Sequence, residues 1–230
     1  MALKWHNAAI KMAKEGRTAE QIMDGVGISA DVYHRHCQRN PDLAAQLPRV
    51  IKIDEPPILT AEISLIAAID RNGGLGKNGD LQWHQSADLQ RFRFLTHGHT
   101  VIMGRRTYQS LNIVALPDRK LVVLTNRKNF TVDHPDVQIA SSLVMALLDA
   151  QQAGAEKIFL AGGEEVYTLG LGFADRIYLT EIDTAINRPD VVFPIWDLPH
   201  WDLIETRGPY RADDSNQYPY TYKTYTRRQK

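Results

Sequence analysis

A single cysteine, Cys37, stands in a chain of 230 residues. One thiol excludes an intramolecular disulfide and a multi-cysteine metal site, and it suits a reducing compartment. Net charge is also missing, since 27 Lys and Arg balance 27 Asp and Glu. No global field therefore draws the molecule toward nucleic acid, membranes or acidic ligands, and a charged ligand must be met by a local cluster. Long apolar runs are absent as well. The stretch LIAAI at 65–69 falls far short of the roughly 18–20 residues that span a bilayer. The opening MALKWHNAAIKMAKEG interrupts its apolar residues with Lys4, His6, Lys11 and Lys14, so no signal-peptide core is expected. These absences imply a cytoplasmic protein that stays off the membrane. Eight histidines show no paired ligand spacing with carboxylates or cysteines, and His84, His97 and His99 read as surface or loop residues, so no metal site is expected. What remains, 43% hydrophobic and 23% charged residues, is close to the globular average and implies a folded chain with a sizeable core.

The first fifty residues carry helical patterning and no convincing strand. They are followed by LPRVIKIDEPPILTAE, whose Pro48, Pro56 and Pro57 suit an extended connector. The expected layout is a helical module at 1–50, a Pro-containing linker at 51–61 and a larger domain at 62–230. In that domain short apolar runs (ISLIAAI, TVIMG, KLVVLT, VQIA, KIFLAGG, DRIYLTEI) alternate with helical patterns. Continuous apolar runs suit strands buried on both faces of a mainly parallel sheet, with the helices covering it. HWDLIETRGPYR and YPYTYKTYTRR alternate apolar and polar residues about a polar turn, which predicts an antiparallel hairpin at the sheet edge.

In LQWHQSADLQRFRF the pattern predicts a helix capped by Ser86, with Asp88, Leu89, Phe92 and Leu95 on one stripe and Gln90, Arg91 and Arg93 facing elsewhere. A first-turn aspartate can simply support the helix dipole. On an apolar stripe it can also be desolvated, which raises its pKa and suits it to proton transfer near neutral pH.

The segments ISLIAAID, GLGKNGDLQWHQSADLQRF, VIMGRRTYQSL, LPDRK, LAGGEEVY and IYLTEID occur in the order and spacing of dihydrofolate reductase, and residues 63–228 resemble that family. The resemblance implies an α/β three-layer sandwich with a mainly parallel central sheet and an antiparallel C-terminal hairpin, beside the small all-α N-terminal domain. It implies reduction of 7,8-dihydrofolate to 5,6,7,8-tetrahydrofolate by hydride transfer from NADPH to C6 with protonation at N5, in support of one-carbon and thymidylate metabolism. Members of the family are antifolate targets.

Asp88 matches the family's ionisable pterin-site residue, which binds the 2-amino group and N3 and promotes protonation at N5. Thr180 matches the threonine bonded to that carboxylate. Leu89 and Phe92 resemble the side chains that sandwich pterin and benzoyl ring, Ile66 supplies strand backbone, and Leu111 completes the implied substrate wall. Arg119 matches the arginine that pairs with the α-carboxylate of the glutamate tail. Trp83 is implied to order water beside the pterin, and Tyr167 to lie close to the nicotinamide.

On the implied cofactor side, Ala68, Leu75, Gly76 and Leu81 fall in the strand end and the glycine-rich lid over the nicotinamide. Gly104, Arg105, Arg106 and Thr107 form a strand-to-helix turn whose amides favour phosphate, with Arg105 on the 2′-phosphate and Thr107 on the diphosphate. Thr125, Asn126 and Arg127 lie where the family contacts the adenosine phosphate, which favours NADPH over NADH. Ala161, Gly162 and Gly163, the glycines joined by a cis peptide in the family, lead into Glu164, Glu165 and Val166. Four features depart from the family pattern: Gln82 replaces a common proline, Ala161 a larger aliphatic residue, Pro189 precedes the loop acid Asp190, and Glu164 with Glu165 bring negative charge to the phosphates.

In GRTAEQIMDGVGISADVYHRHCQRNP, Thr18 with Gln21 forms a capping box and Ser29 can cap a helix ended by Asn40 and Pro41, a pattern resembling a helix-turn-helix. Its expected recognition stretch, 30–39, offers Tyr33, His34, Arg35, Gln38 and Arg39. Seven Lys and Arg against five Asp and Glu over residues 1–50 make a weak basic footprint, so DNA and a protein both stand as partners. A reductase fold used structurally, or a related pterin or pyrimidine reductase, are the alternative functions; Arg119 speaks against a substrate without the tail.

Overall fold

The apolar runs become one eight-stranded sheet in the computed structural model, which describes residues 59–228 apart from 78, 79, 113 and 195–197. Strands β1 (Glu62–Ile69), β3 (Thr100–Gly104), β4 (Lys120–Leu124), β5 (Val137–Ala140), β6 (Lys157–Leu160) and β7 (Arg176–Ile182) run parallel, in the spatial order β5-β4-β3-β6-β1-β7. The predicted hairpin, β9 (Trp201–Tyr210) and β10 (Tyr220–Arg227), extends this sheet antiparallel beyond β7. A short second sheet pairs β2 (Gly74–Gly76) with β8 (Val191–Val192). Four helices fill the crossovers: α1 (Ser86–Thr96), α2 (Arg105–Ser110), α3 (Leu143–Gln152) and α4 (Glu164–Gly170).

Alternation along the strands divides the core into two layers, because successive side chains leave opposite faces of a sheet. Ile63, Leu65, Ile102, Val122, Ile158, Leu160, Ile177 and Leu179 pack with Leu143 and Leu147 of α3 and Val166 of α4. Ile66, Val101, Met103, Leu121, Val123, Phe159 and Tyr178 face the other way, toward Phe92 and Leu95 of α1 and Tyr108 of α2. Both faces of the parallel strands are thus covered, the expected three layers. The compact unit begins at Leu59. Gln151 on α3 accepts from the amides of Thr60 (2.6 Å) and Ala61 (3.1 Å), so the last residues of the expected linker already pack on the domain. The helix-turn-helix expectation for 1–50 lies outside the described residues. No described helix is long and apolar enough to cross a membrane.

Candidate active site

Helix α1 is held by residues far away in sequence. Ser86 is not its cap as expected, but its first residue; Gln85 occupies the cap position and gives the helix no side-chain cap, its amide donating to Tyr218 O (2.9 Å) instead. The loop before β10 satisfies the open amides instead, with Asn216 Oδ1 accepting from Ala87 N (2.9 Å) and Ser215 O from Ser86 N (3.0 Å). Tyr222 on β10 donates to Ala87 O (3.0 Å). This scaffold brings the Asp88 carboxyl to face the Thr180 hydroxyl on β7. Asp88 is half-buried as a residue, and protein atoms crowd its carboxyl. Burial pushes it above the ordinary carboxylate range, against the opposing pull of the Thr180 bond and the Arg91 charge.

Tyr167 on α4 donates to Ile66 O on β1 (2.8 Å). Burial, with the charge of Asp88, pushes its phenol far up, so it serves as a neutral donor. Trp83 is buried against Ile182 and Tyr220, and its indole Nε1 has no hydrogen-bond partner among the described residues. A buried orphan donor costs about 1–3 kcal/mol, which a ligand or bridging water reaching it would relieve. The leucines expected beside it are open, Leu81 at 46% and Leu89 at 43% exposure, with Phe92 half-buried. Open apolar side chains around an enclosed carboxylate suit a flat, polar-edged aromatic ligand.

Arg119 sits at the far end of α1, donating from Nη1 to Thr96 Oγ1 (3.2 Å) and from Nε to Pro117 O (2.7 Å). Asp88 and Thr96 are eight helical positions apart, about 12 Å at the α-helical rise. An acid therefore stands at one end of α1 and a guanidinium at the other. Leu111, just beyond α2, is 41% exposed.

The ends of β3, β4 and β6 form a second region. Gly104 pairs with Leu124, and Ile102 with Leu160, so the turns after these strands emerge side by side. Gly104 N donates to Gly162 O (2.7 Å), and the Gly162–Gly163 peptide is cis. The fit is close: a Cβ on Gly163 would lie 3.2 Å from Thr107 Oγ1, and one on Gly104 3.5 Å from Gly163 N. Neither α2 nor α4 has a side-chain cap at its start. Bare first-turn amides flanked by Arg105, Arg106 and Arg127 fit an anionic diphosphate ligand. Arg105 Nη1 donates to Gln109 Oε1 (2.5 Å), while Arg106, Asn126 and Arg127 are exposed and Thr125 Oγ1 accepts from Arg127 N (3.1 Å). Glu164 and Glu165 are exposed on the first turn of α4, and Ala161 N donates to Ile102 O (2.9 Å). Val166 and Leu75 are core side chains, at 3% and 9% exposure, which leaves their backbone as the part that can meet a ligand. Ala68 packs with the Trp83 cluster.

Two further expectations are corrected. The expected lid is partly strand: Gly74 and Gly76 are buried in β2, and a Cβ on Gly74 would meet Asp70 Oδ2 at 2.9 Å. Arg91 does not face away with Gln90. Its half-buried guanidinium donates to Leu179 O (2.6 Å) and lies 4.4 Å from the Tyr222 ring centroid. Its partners come from β7 and β10, and no spacing within α1 points to them.

The sequence and the architecture have counterparts. A family model described as Dihydrofolate reductase matches residues 62–227. Dihydrofolate reductase type 3 of Salmonella typhimurium is 38% identical over 165 residues, 72% of this chain and 98% of that protein. The dihydrofolate reductases of Bacillus subtilis and Staphylococcus haemolyticus are 35% and 33% identical, each across 72% of this chain and 95% and 96% of their own length. Among solved structures, dihydrofolate reductase from Enterococcus faecalis complexed with NADP(H) and RAB-propyl superposes with a TM-score of 0.67 at 29% identity, covering 74% of this chain and 99% of that one. On fold and sequence alike, the chain belongs to the dihydrofolate reductase family.

Proposed function

We propose that this protein reduces 7,8-dihydrofolate to 5,6,7,8-tetrahydrofolate with NADPH. The observation that carries it is the Asp88 carboxyl, pushed up by burial and facing the Thr180 hydroxyl at one end of α1, with the Arg119 guanidinium at the other. In this reading Asp88 accepts hydrogen bonds from the 2-amino group and N3 of the pterin, and Thr180 fixes the carboxylate's orientation. The buried Trp83 Nε1 offers a donor to water at the pterin edge, close to the site of protonation at N5. Leu89 and Phe92 hold the rings and exclude bulk water, which strengthens the field of Asp88. Arg119 takes the tail carboxylate, which favours a glutamate-bearing substrate over the tail-less one of a pyrimidine reductase. NADPH, when bound, supplies the hydride. Gly104, Thr107, Gly162 and Gly163 would cradle its diphosphate, Arg105, Arg106 and Arg127 its adenosine phosphate, and Tyr167 with Leu81 would flank the nicotinamide.

Loss of NADPH absorbance with dihydrofolate, for the wild type and Asp88→Asn, tests this. Turnover is expected in the wild type, with kcat/KM at neutral pH lower by about 10²–10⁴ in the variant, the range for loss of a general acid. No oxidation by folded, NADPH-binding protein sinks the enzyme and favours a structural use of the fold. For residues 1–50 the capping pattern supports a helix-turn-helix module in a cytoplasmic protein; salt-dependent retardation of a DNA duplex by the full chain separates DNA from a protein partner.

A further inference from the structure

We propose that Arg91 is a positioning residue for Asp88: its guanidinium, anchored between two threonine hydroxyls, turns Thr180 into a donor toward the active-site carboxylate and supplies the charge that favours the carboxylate's ionised form. This rests on the reading of Asp88 as the pterin-site acid.

Arg91 Nη1 donates to Thr180 Oγ1 (3.3 Å) and to Leu179 O (2.6 Å). Guanidinium has donors and no acceptor, so toward Arg91 the Thr180 hydroxyl can only accept. Its own proton is left for the Asp88 carboxyl, which lies one helical turn before Arg91 on α1 and faces the Thr180 hydroxyl. The other arm repeats the arrangement: Nη2 donates to Thr224 Oγ1 (3.4 Å), and that hydroxyl donates to Glu205 Oε2 (3.1 Å). One cation is therefore shared by two carboxylates, each through a threonine, with Asp88 in the cleft and Glu205 on β9 at the surface. Lys223 O also accepts from Nη2 (3.4 Å).

The groups facing this centre come from five elements. Asp88 meets Arg91 on its own helix, Thr180 on β7, Tyr167 on α4 and Tyr222 on β10. Arg91 meets Tyr178, Tyr222 and Glu205 besides Asp88. Burial pushes the phenols of Tyr167 and Tyr222 up, so neither takes a negative charge near neutral pH. Glu205 is held below the ordinary carboxylate range chiefly by its bond from Arg207, so it is ionised and draws on the charge of Arg91. Opposing substitutions must therefore act in opposite directions. Removing Arg91 takes the cation from Asp88, and neutralising Glu205 leaves more of it to Asp88.

The test is a ¹³C-carboxyl NMR titration of Asp88 in the full-length, ligand-free protein, assigned by its loss in Asp88→Asn, alongside the pH profile of kcat/KM. Arg91→Met is expected to raise the Asp88 midpoint by about one pH unit, the lower end of the effect of an adjacent opposite charge. Glu205→Gln is expected to lower it by less, and Arg91→Lys to stay near the wild type. The activity midpoint should follow the carboxyl. An unmoved carboxyl midpoint in folded Arg91→Met, with activity lost evenly across pH, overturns the proposal and leaves Arg91 a packing residue. If Arg91→Met does not fold, Glu205→Gln decides, with a downward shift in support and an unmoved midpoint against. A wild type that does not oxidise NADPH would fail the reductase reading while leaving the carboxyl titration intact, so the two failures are distinguishable.

Discussion

An enclosed carboxylate weakens the fold at the pH where the site needs its charge. Since burial raises the folded-state pKa of Asp88, the native protein binds this proton more tightly than the unfolded chain. Stability contributed by the protonated form is full below the ordinary carboxylate value and is lost as pH rises through the raised one. Asp88→Asn lacks this loss. It should melt a few degrees above the wild type at about pH 8, with the gap closing toward about pH 4, near the unfolded carboxylate pKa. Fluorescence melts across that range check this, and a gap independent of pH would contradict it. At the other end of α1, Arg119→Ala should raise KM for dihydrofolate by about 10–100-fold, the equivalent of one charged hydrogen-bonded pair. Steady-state kinetics should show kcat nearly unchanged, and a pterin without the glutamate tail should not sense the change. Asp88 and Arg119 were legible because each sits inside a quoted motif. Arg91 was not, because the four oxygens it donates to lie on β7 and β10.

At the scale of elements, close approach explains more than flexibility does. Gly170 at the end of α4 lies against β6, where an added Cβ would fall 2.2 Å from Leu160 Cδ1. Leu160 is fully buried, so its side chain would have to shift inside a close-packed core. Gly170→Ala should destabilise the domain by about 1–3 kcal/mol as overpacking, in spite of alanine's better helix propensity. Urea denaturation would show this as a lower midpoint with an unchanged slope. Every strand read from an apolar run is present, and so is the edge hairpin, because continuous burial and alternation leave their mark within a few residues. The β2–β8 pair was not legible: GLG looks like a loop, and its partner VV is a two-residue strand more than a hundred positions away. The cap of α1 was hidden for the same reason, since Asn216 replaces a local signal that Ser86 displays in sequence.

For the whole molecule, the family match begins at residue 62, and the compact unit at Leu59. A protein starting at Leu59 is therefore expected to fold alone and keep kcat/KM within about twofold of the full chain, as an independent domain should. Side-by-side assays of both proteins check it, and a large loss would give residues 1–58 a part in catalysis. The strand order carries a different consequence, for the timing of synthesis. β1 is the first strand of the sheet to leave a ribosome, yet it lies between β6 and β7, with Leu65 beside Leu160 on one side and Ile177 on the other. Its neighbours are more than ninety residues behind it. At about 5–20 residues per second, the newborn chain holds ISLIAAI without its final partners for on the order of ten seconds. The strand whose Ile66 carbonyl holds Tyr167 in the finished protein is thus a segment in need of shelter while the rest is being made.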